Sequence, residues 1–331
     1  MKRKLLDYLA CPACGGQINL ASVSAEEGIE ILSGELHCAA CAKTFSIVRG
    51  VPRFAELPDV EEEKRATAES FGWSWQQFSH DDERYEQQFI DWIAPVRPNF
   101  IAGKVVLEGG CGKGRHTRRV ARWGAKAIVA VDLSAAVEVA FAATRDVENA
   151  HVIQADIYHL PLRRLFDYAF SVGVLHHLPN PREGFKSLVS KVKPGGHASA
   201  WVYGAENNEW IVRFVNPVRR VTSGMSRRLL YHLAKIPSAM MFSATKLIYR
   251  PLNRRGAKLA RHLFYNDYLN YVSQFNWRDQ HLIVFDHLVA PTAFYLSREE
   301  FEEWWRDINA TDVVIGWHNR NSWRGFGKLT E

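Results

Sequence analysis

The chain has 331 residues, of which 47% are hydrophobic and 24% charged, an ordinary composition for a globular protein long enough to carry additional modules. No stretch approaches the roughly 20 consecutive apolar residues of a membrane span, and the N-terminus lacks the apolar core of a signal peptide, so the sequence excludes an integral membrane protein and favours a cytoplasmic one. The formal charge of +6 is unevenly distributed: residues 210–262 contain twelve Lys or Arg and no Asp or Glu, and subtracting these twelve from +6 leaves −6 for the rest.

Four of the five cysteines form two CxxC pairs near the N-terminus, Cys11 with Cys14 and Cys38 with Cys41. Two such pairs provide the four tetrahedral thiolates of a structural zinc site, and IEILSGELHC between them predicts a hairpin. Residues 1–55 are therefore predicted to form a zinc ribbon. A redox-active CxxC and structural disulfides are the alternatives, but a redox motif normally occurs once, and disulfides are unusual without an export signal. The closed thiolate set indicates a role in folding or docking.

The segment after the second pair, KTFSIVRGVPRF, sharpens this prediction. CPxC, then CxxC, an aromatic residue and GVPRF resemble the zinc-ribbon domain related to the small activator subunit of tRNA and protein methyltransferases. The resemblance covers about residues 5–55. It implies that the ribbon is fused to its own catalytic domain.

Residues 56–100 are predicted to be a linker with N-terminal helices, beginning with the charged segment ELPDVEEEKRATAES. The aromatic segment FGWSWQQF at 71–78 has two interpretations. It can act as a hydrophobic staple onto the core. It can also form a lid over a cofactor, with Trp73, Trp75 and Tyr85 as candidates.

The most informative stretch is VVLEGGCGKG at 105–114, where a buried strand ends in a glycine-rich acidic turn. Glu108, Gly110, Gly112 and Gly114 follow one another at every second position, and glycine lets a ligand approach the main chain more closely than a Cβ would allow. The stretch is not the GxGxxG dinucleotide fingerprint. It resembles motif I of the class I S-adenosylmethionine (SAM) methyltransferases, in which an acid precedes GxGxG.

The next two strands carry further landmarks of this family. AKAIVAVDLS ends its strand in Asp132, where an acid can accept hydrogen bonds from ribose hydroxyls, although Asp132 can instead cap the next helix together with Ser134. HVIQADIYHLPL ends its strand in Asp156, a position that contacts the adenine amino group in the resembling family, with Ile157 packed against the ring. The residues that the resemblance assigns to cofactor binding are Glu108, Gly110, Gly112, Gly114, Asp132, Leu133, Asp156, Ile157 and Val172.

The fourth strand, FDYAFSVGVLHHLPNP, resembles the VLHH form of motif IV in the type 11 group of SAM methyltransferases. KPGG at 193–196 is similar to that family's turn into a fifth strand. His176 and His177 are candidate general bases because unperturbed imidazoles titrate near neutral pH, although in the resembling group this pair often shapes the cofactor pocket. Cys111 is predicted to be a packing residue.

The resemblance implies an α/β fold, a Rossmann-like seven-stranded class I methyltransferase sheet. Its SAM-binding core is predicted at 101–204 and its C-terminal part at 286–331, where LSREEFEEWWRDI predicts a helix capped by Ser297 and two further strands follow. Residues 205–285 are then a basic helical insertion after strand five, which in this topology lies beside the acceptor pocket as a substrate cap.

The basic residues of segment 210–262 are interleaved with Leu, Ile, Tyr and Phe. They can snorkel at the edge of a helical hairpin, recognise an anionic substrate such as a phosphate, nucleotide sugar or RNA, or contact an anionic membrane surface. The segment DHLVAPTAFYLS at 286–297 resembles the family's return from such a cap, which would bring Asp286 and His287 near the pocket.

The sequence therefore predicts a SAM-dependent methyltransferase with structural Zn²⁺. Its main predicted acceptor is a small molecule, a glycan or a lipid-linked compound, with peripheral membrane contact through 210–262 as an option and nucleic acid as the poorer fit. One alternative is an RNA methyltransferase that binds RNA through the zinc ribbon and the basic insertion, although no base-stacking motif stands out. The other is a non-catalytic SAM-binding scaffold. A general base is needed only for a hydroxyl, a protonated amine or a carbon acid.

Overall fold

The computed structural model describes residues 1–55, 61–78, 82 and 84–330, so residues 56–60 of the predicted linker lie outside the described part of the chain. An N-terminal antiparallel sheet is followed by a larger mixed sheet. The first sheet contains β1 (Ile18–Glu27), β2 (Glu30–Cys38), β3 (Thr44–Val48) and β4 (Val51–Pro52). The hairpin predicted within IEILSGELHC is wrong, because nearly all of this segment is the single strand β2, which pairs with β1 across a turn at residues 28–29. The second contains β5 (Val105–Gly109), β6 (Ala127–Asp132), β7 (Ala150–Gln154), β8 (Phe166–Val172), β9 (Val192–Tyr203), β10 (Thr311–His318) and β11 (Ser322–Lys328).

The α-helices divide into those beside the large sheet and those between its fifth and sixth strands. The first group contains α1 (Glu62–Gln77), α2 (Arg84–Trp92), α3 (Pro98–Ile101), α4 (Arg115–Arg122), α5 (Ala136–Thr144) and α6 (Pro181–Val189). The second group contains α7 (Asn216–Thr222), α8 (Arg227–Leu233), α9 (Lys235–Ala244), α10 (Arg250–Arg254), α11 (Asn266–Val272) and α12 (Trp277–Val289), and it is followed by α13 (Arg298–Asp307).

The large sheet has the strand order β10-β11-β9-β8-β5-β6-β7. Strands β5 to β9 run parallel, and β11 pairs antiparallel with both β9 and β10. The parallel strands are continuous apolar runs because both of their faces are covered, as at Leu107 and Val129, which are fully buried. This arrangement confirms the predicted seven-stranded α/β fold, including the antiparallel pair at its edge.

The C-terminal helix α13 begins where the sequence predicts it. The Ser297 hydroxyl accepts a hydrogen bond from the Glu300 backbone N–H at 3.2 Å, and the Glu300 carboxylate accepts one from the Ser297 N–H at 2.7 Å. This capping box satisfies two backbone donors that the helix itself cannot pair. The helix then buries Phe301 and Trp305 against the sheet.

The N-terminal sheet packs against the outer edge of the large sheet at β7. The Phe54 backbone N–H donates to the Gln154 carbonyl at 2.8 Å, and the Arg53 guanidinium reaches the Gln154 side chain at 2.8 Å and the Glu138 carboxylate at 3.1 Å. The apolar residues of the two sheets form one continuous core that includes Leu9 and Phe166. The N-terminal module is therefore built onto the large sheet at its edge.

The helices between β9 and α13 form a layer that we call the helical cap, residues 205–289. Its own apolar core contains Leu230, Leu282 and Phe285, against which Phe78 is also buried. The predicted boundary between residues 285 and 286 falls inside α12. No helix in the described ranges has the length and apolar character needed to cross a bilayer.

Candidate active site

The thiols of Cys11, Cys14, Cys38 and Cys41 come together at one end of the N-terminal sheet. All four sulfur atoms lie within 4.8 Å of one another, with 3.7 Å between Cys11 and Cys41 and 3.5 Å between Cys14 and Cys38. A tetrahedral site with zinc–sulfur bonds of about 2.3 Å has sulfur–sulfur edges of roughly 3.8 Å, so this donor set fits one zinc ion. All five cysteines of the chain are free thiols.

A cavity of about 280 Å³ lies where the carboxyl ends of the central strands meet, between the sheet and the helical cap. Such an edge is the usual ligand site of an open α/β sheet. The predicted cofactor residues that line it are Gly110, Gly112, Asp132, Leu133, Asp156, Ile157 and Val172. Glu108 and Gly114 are not among its lining residues.

The glycine turn after β5 needs glycine for reasons beyond ligand approach. Gly110 and Gly112 have φ angles of 80° and 51°, a left-handed backbone that other residues adopt at a cost. A Cβ on Gly110 would lie 2.3 Å from the Val174 side chain, and one on Gly112 would lie 2.9 Å from the Trp75 ring nitrogen. The absence of a Cβ at these two glycines therefore also allows Val174, which follows β8, and Trp75 of α1 to pack against the turn.

The Glu108 carboxylate faces α4. It accepts a hydrogen bond from the Thr117 hydroxyl at 2.5 Å, and the His116 ring nitrogen Nδ1 lies 3.4 Å away. Burial raises the pKa of Glu108 to about 8. The contact with Thr117 fixes the start of α4 relative to the end of β5, and the role of Glu108 in cofactor binding stays a prediction.

The Asp132 carboxylate lines the cavity at the end of β6. Its Oδ2 accepts the Gly112 backbone N–H at 2.8 Å, and its Oδ1 accepts the Ser134 N–H at 2.8 Å and the Ser134 hydroxyl at 2.7 Å. Burial raises its pKa, which these hydrogen bonds oppose. The alternatives for Asp132 were a ribose contact and a cap on the next helix. The cap is not formed by Asp132, because the residue that precedes α5 is Ala135, and the ribose contact stays a prediction.

The Asp156 carboxylate, predicted to face the adenine amino group, is paired with a lysine that the sequence did not single out. Lys64 Nζ lies 2.9 Å from Asp156 Oδ2 and 4.7 Å from the centre of the Tyr158 ring. Both side chains are largely buried, with 10% and 11% of their surfaces exposed. The pair therefore ties α1 to the end of β7 across the cavity.

Helix α1 has two faces that correspond to the two interpretations of its aromatic segment. Phe71 and Trp75 line the cavity, whereas Trp73 packs 5.9 Å from the Tyr231 ring and 5.5 Å from the Phe285 ring inside the cap. Trp73 is therefore a packing residue. Trp75 lines the cavity and also packs against the apolar core of the cap, and its role as a lid stays a prediction.

Tyr85 also lines the cavity, and its hydroxyl donates to the Asp279 carboxylate. The Arg115 guanidinium lies 4.8 Å from the centre of the Tyr85 ring and 5.6 Å from that of Trp92. Tyr85 therefore joins the glycine turn to the cap. Residue spacing gave no signal for the contact between Tyr85 and Asp279, which are nearly 200 positions apart.

The two candidate bases of motif IV have different surroundings. His176 is fully buried, with its ring 3.9 Å from that of Tyr203, and neither ring nitrogen has a partner among the described residues. His177 lines the cavity and its Nδ1–H donates to the Thr292 carbonyl at 2.6 Å, which leaves Nε2 as the acceptor nitrogen. Burial lowers the pKa of His177 to about 4 and that of His176 well below its usual value. Both imidazoles are therefore neutral at pH 7.

Many of the residues that line the cavity are aromatic, and we call this group the aromatic chamber. Three tyrosines come from the segment YNDYLNYV: Tyr268 and Tyr271 lie three positions apart in α11, and Tyr265 is the residue just before that helix. The regular spacing of these tyrosines could have indicated an aromatic surface from the sequence alone. The chamber is lined by Trp92, Trp201, Tyr203, Tyr265, Tyr268, Tyr271, Phe275 and Tyr295.

Two ionisable residues of α12 reach the same cavity, as their position after the cap suggested. Asp286 Oδ1 accepts a hydrogen bond from the buried Ser74 hydroxyl at 2.9 Å, and burial raises the pKa of Asp286 to about 7. His287 is next to the buried Arg219 guanidinium, which donates to the His287 carbonyl at 2.7 Å. Burial and this cation lower the pKa of His287 to about 3.

Two protein families match the chain, one in the N-terminal sheet and the other in the large sheet. The methyltransferase domain of the type 11 group matches residues 107–200, and the Trm112p-like protein family matches residues 2–50. The chain therefore contains a SAM-dependent methyltransferase domain and a Trm112p-like domain, which confirms both resemblances.

Several curated relatives match part of this chain, and two of them are described here. Both are named tRNA U34 carboxymethyltransferase. The protein of Aeromonas hydrophila is 38% identical over 100 residues, which is 29% of this chain and 31% of that protein. The protein of Idiomarina loihiensis is 31% identical over 118 residues, which is 34% of this chain and 36% of that protein. The chain thus spans about a third of the length of these relatives.

Solved structures with a similar fold include the complex between the Haloferax volcanii Trm112 methyltransferase activator and the putative methyltransferase. That match has a TM-score of 0.45 and 14% identity, and covers 80% of this chain and 99% of that one. A SAM-dependent methyltransferase from Mesorhizobium loti matches with a TM-score of 0.30 and 28% identity over 31% of this chain and 48% of that one.

These findings correct two of the predictions. A small-molecule, glycan or lipid-linked acceptor was the main expectation and nucleic acid the poorer fit, but the curated relatives are named for a tRNA, and the Trm112p-like domain points the same way. Peripheral membrane contact through 210–262 also finds no support. Composition misled here because basic residues interleaved with apolar ones are compatible with RNA as well as with lipid.

Proposed function

We propose that this protein transfers a methyl group from SAM to RNA, with tRNA as the acceptor. The observation that carries the proposal is that the predicted cofactor residues and the aromatic chamber line one and the same cavity. Proteins recognise unstacked RNA bases by stacking them on aromatic rings, and a chamber lined by tryptophan and tyrosine offers such surfaces. The names of the curated relatives support the same acceptor class.

The charge of the helical cap supports RNA as the partner. Its exposed basic side chains can neutralise phosphates, and the segment that carries them contains no acid to oppose this. Exposed aromatic rings accompany them, with 64% of Phe214, 60% of Phe264 and 37% of Trp277 accessible. The basic residues with exposed positions are Arg213, Arg220, Arg228, Lys235, Arg254, Arg255, Lys258 and Arg261.

The residues of the core half fit SAM as the cofactor. Asp132 would accept hydrogen bonds from the ribose, Asp156 would face the adenine with Ile157 beside it, and the glycine turn would lie along the amino-acid part. SAM supplies a methyl group activated by a sulfonium charge, so the chain mainly has to position two reactants and exclude water. Trp75 and Phe71 on α1 cover the cavity and would serve that exclusion.

The direct test is methyl transfer from isotope-labelled SAM to bulk tRNA, followed by digestion and mass spectrometry of the nucleosides. We expect label in one nucleoside of tRNA, and the mass increment identifies the group transferred. Label that appears only in a small-molecule or protein fraction would contradict the proposal. A chain with Asp132→Ala serves as the control for cofactor-dependent transfer.

A further inference from the structure

We propose that Asp286 of α12 is the catalytic base, which takes up the proton that the RNA acceptor group loses when it is methylated. This inference rests on the proposed function and adds a catalytic residue to it. It moves the base from the histidines of motif IV to a carboxylate that the cap brings to the cavity.

The position of Asp286 is set from two sides. Helix α12 packs against α1, and the Ser74 hydroxyl of α1 donates to Asp286 Oδ1 at 2.9 Å. Ser74 is fully buried, so this donor is fixed. Within the described residues no other group hydrogen-bonds to the carboxylate, which leaves Oδ2 available to a ligand in the cavity that Asp286 lines. One oxygen is thus anchored and the other is available, as a positioned base requires.

The charges around Asp286 come from several elements. Lys113 of the glycine turn and Arg115 at the start of α4 are the cations whose fields lower its pKa, and Tyr203 at the end of β9 is a neighbour whose pKa Asp286 helps to raise. On its own helix, His287 is neutral at pH 7 because burial and Arg219 lower its pKa. No ion pair of Asp286 occurs among the described residues, so its carboxylate is not neutralised by contact with a cation.

The histidines of the cavity are poorer proton acceptors at this place. His177 has a pKa near 4 and His287 a pKa near 3, so their conjugate acids lose protons readily in the buried site. Burial has the opposite effect on a carboxylate, and the pKa of Asp286 is raised to about 7. A base works best when its pKa is close to the working pH.

The proton balance of the step is simple. The acceptor O–H or N–H bond breaks and its proton passes to Asp286 Oδ2. The electron pair left on the acceptor atom forms the bond to the methyl carbon. The carbon–sulfur bond breaks with its electron pair retained by sulfur, and the protonated carboxyl group later releases its proton to water.

The test compares Asp286→Asn and Ser74→Ala with the wild-type protein in single-turnover transfer to tRNA across pH 5 to 9. We expect the wild-type rate to rise with pH, with a midpoint at about 7. The Asp286→Asn variant should show no such rise and should be slower than the wild type by roughly 100-fold or more. Because the Ser74 hydrogen bond stabilises the carboxylate, Ser74→Ala should shift the rise to higher pH. Glu299→Gln, which changes an exposed carboxylate on α13, is the matched control.

Two readouts do not depend on turnover. SAM affinity, measured by calorimetry, should change less than about three-fold in Asp286→Asn, since a base for the acceptor is not a cofactor ligand. Titration of ¹³C-labelled carboxyl groups by NMR should show one resonance with a pKa near 7 that is absent in Asp286→Asn and moves upward in Ser74→Ala.

The proposal is overturned if Asp286→Asn keeps the wild-type pH profile, or if its loss of rate is matched by a loss of SAM affinity. Wild-type transfer to tRNA tests the proposed function separately. The two failures are therefore distinguishable, because the carboxyl titration and the SAM affinity are measured without an acceptor.

Discussion

Lys64 of α1 lies 2.9 Å from the carboxylate of Asp156 at the end of β7, and so closes the cavity over the predicted adenine site. Removing this cation with Lys64→Met should loosen α1 and speed the release of bound SAM. A partly buried pair worth roughly 1 kcal/mol corresponds to about a five-fold faster dissociation, measured by stopped-flow fluorescence. Arg65→Met removes a neighbouring cation of the same helix that does not line the cavity. Equal dissociation rates in the two variants would count against a lid role for α1.

The ribose assignment of Asp132 predicts a large loss of cofactor affinity. Asp132→Ala removes the acceptor for two ribose hydroxyls, and two hydrogen bonds of roughly 1 kcal/mol each correspond to about a 30-fold weaker Kd for SAM by calorimetry. Because Asp132 also accepts from Gly112 and Ser134, the melting temperature must be measured alongside, with Asp132→Asn as the variant that retains one acceptor oxygen. Unchanged SAM affinity in a folded Asp132→Ala protein would refute the assignment.

The cysteine cluster predicts one zinc ion per chain. Metal analysis of purified protein should give this stoichiometry, and Cys38→Ser should abolish it together with cooperative melting of the N-terminal sheet, since the fold of such modules depends on the metal. Cys111→Ala is the control, because Cys111 lies in the glycine turn and should leave the zinc content unchanged. A metal-free protein with intact melting would rule out the zinc site.

The basic face of the cap predicts a steep dependence of tRNA affinity on salt. Replacing Arg254, Arg255 and Lys258 with alanine should reduce the slope of log K against log salt by about 2, since each phosphate contact contributes roughly 0.7 to 0.9. Binding is measured by filter retention between low and moderate salt. The control changes three basic residues of α6 and α13, Lys186, Arg298 and Arg306, which should leave the slope as it is.

The raised pKa of Asp286 predicts a stability effect that increases with pH. A carboxyl group whose pKa is raised from 3.8 to about 7 on folding stabilises the native state fully below pH 3.8, and this stabilisation is lost as the pH rises through 7. Asp286→Asn should therefore leave the melting temperature unchanged near pH 4 and raise it by roughly 2 °C or more at pH 8. A difference that is constant across this range would mean that the carboxyl group titrates normally.

The seven-stranded sheet could be predicted from the sequence because the ends of its central strands carry motifs that resemble those of the class I methyltransferases. Asp132, Asp156 and the VLHH segment lie within about 90 residues of the glycine turn, and their spacing reflects one repeated βα unit. The antiparallel pair could also be predicted from local patterns, because the capping box at Ser297 marks the start of α13, the helix that precedes β10 and β11.

The other half of the cavity could not be predicted in this way. Ser74 and Asp286 are 212 residues apart and meet only because the cap folds back onto α1. The pKa of Asp286 depends on that burial, whereas the sequence shows only an unperturbed aspartate. Similarly, residue type alone does not distinguish Trp73 from Trp75. Only the folded helix shows that Trp73 packs inside the cap and that Trp75 lies over the glycine turn.

The contact of Phe54 and Arg53 with the outer edge of β7 affects the tendency of the protein to aggregate. A strand at the edge of a sheet presents unpaired backbone groups that can recruit a second chain, and natural proteins cover such edges. Here the cover is the Trm112p-like module, whose four clustered thiols fit one zinc ion, and modules of this size commonly depend on such an ion to fold. Without zinc, the edge of β7 would therefore be exposed, and we expect newly made protein to aggregate through this edge.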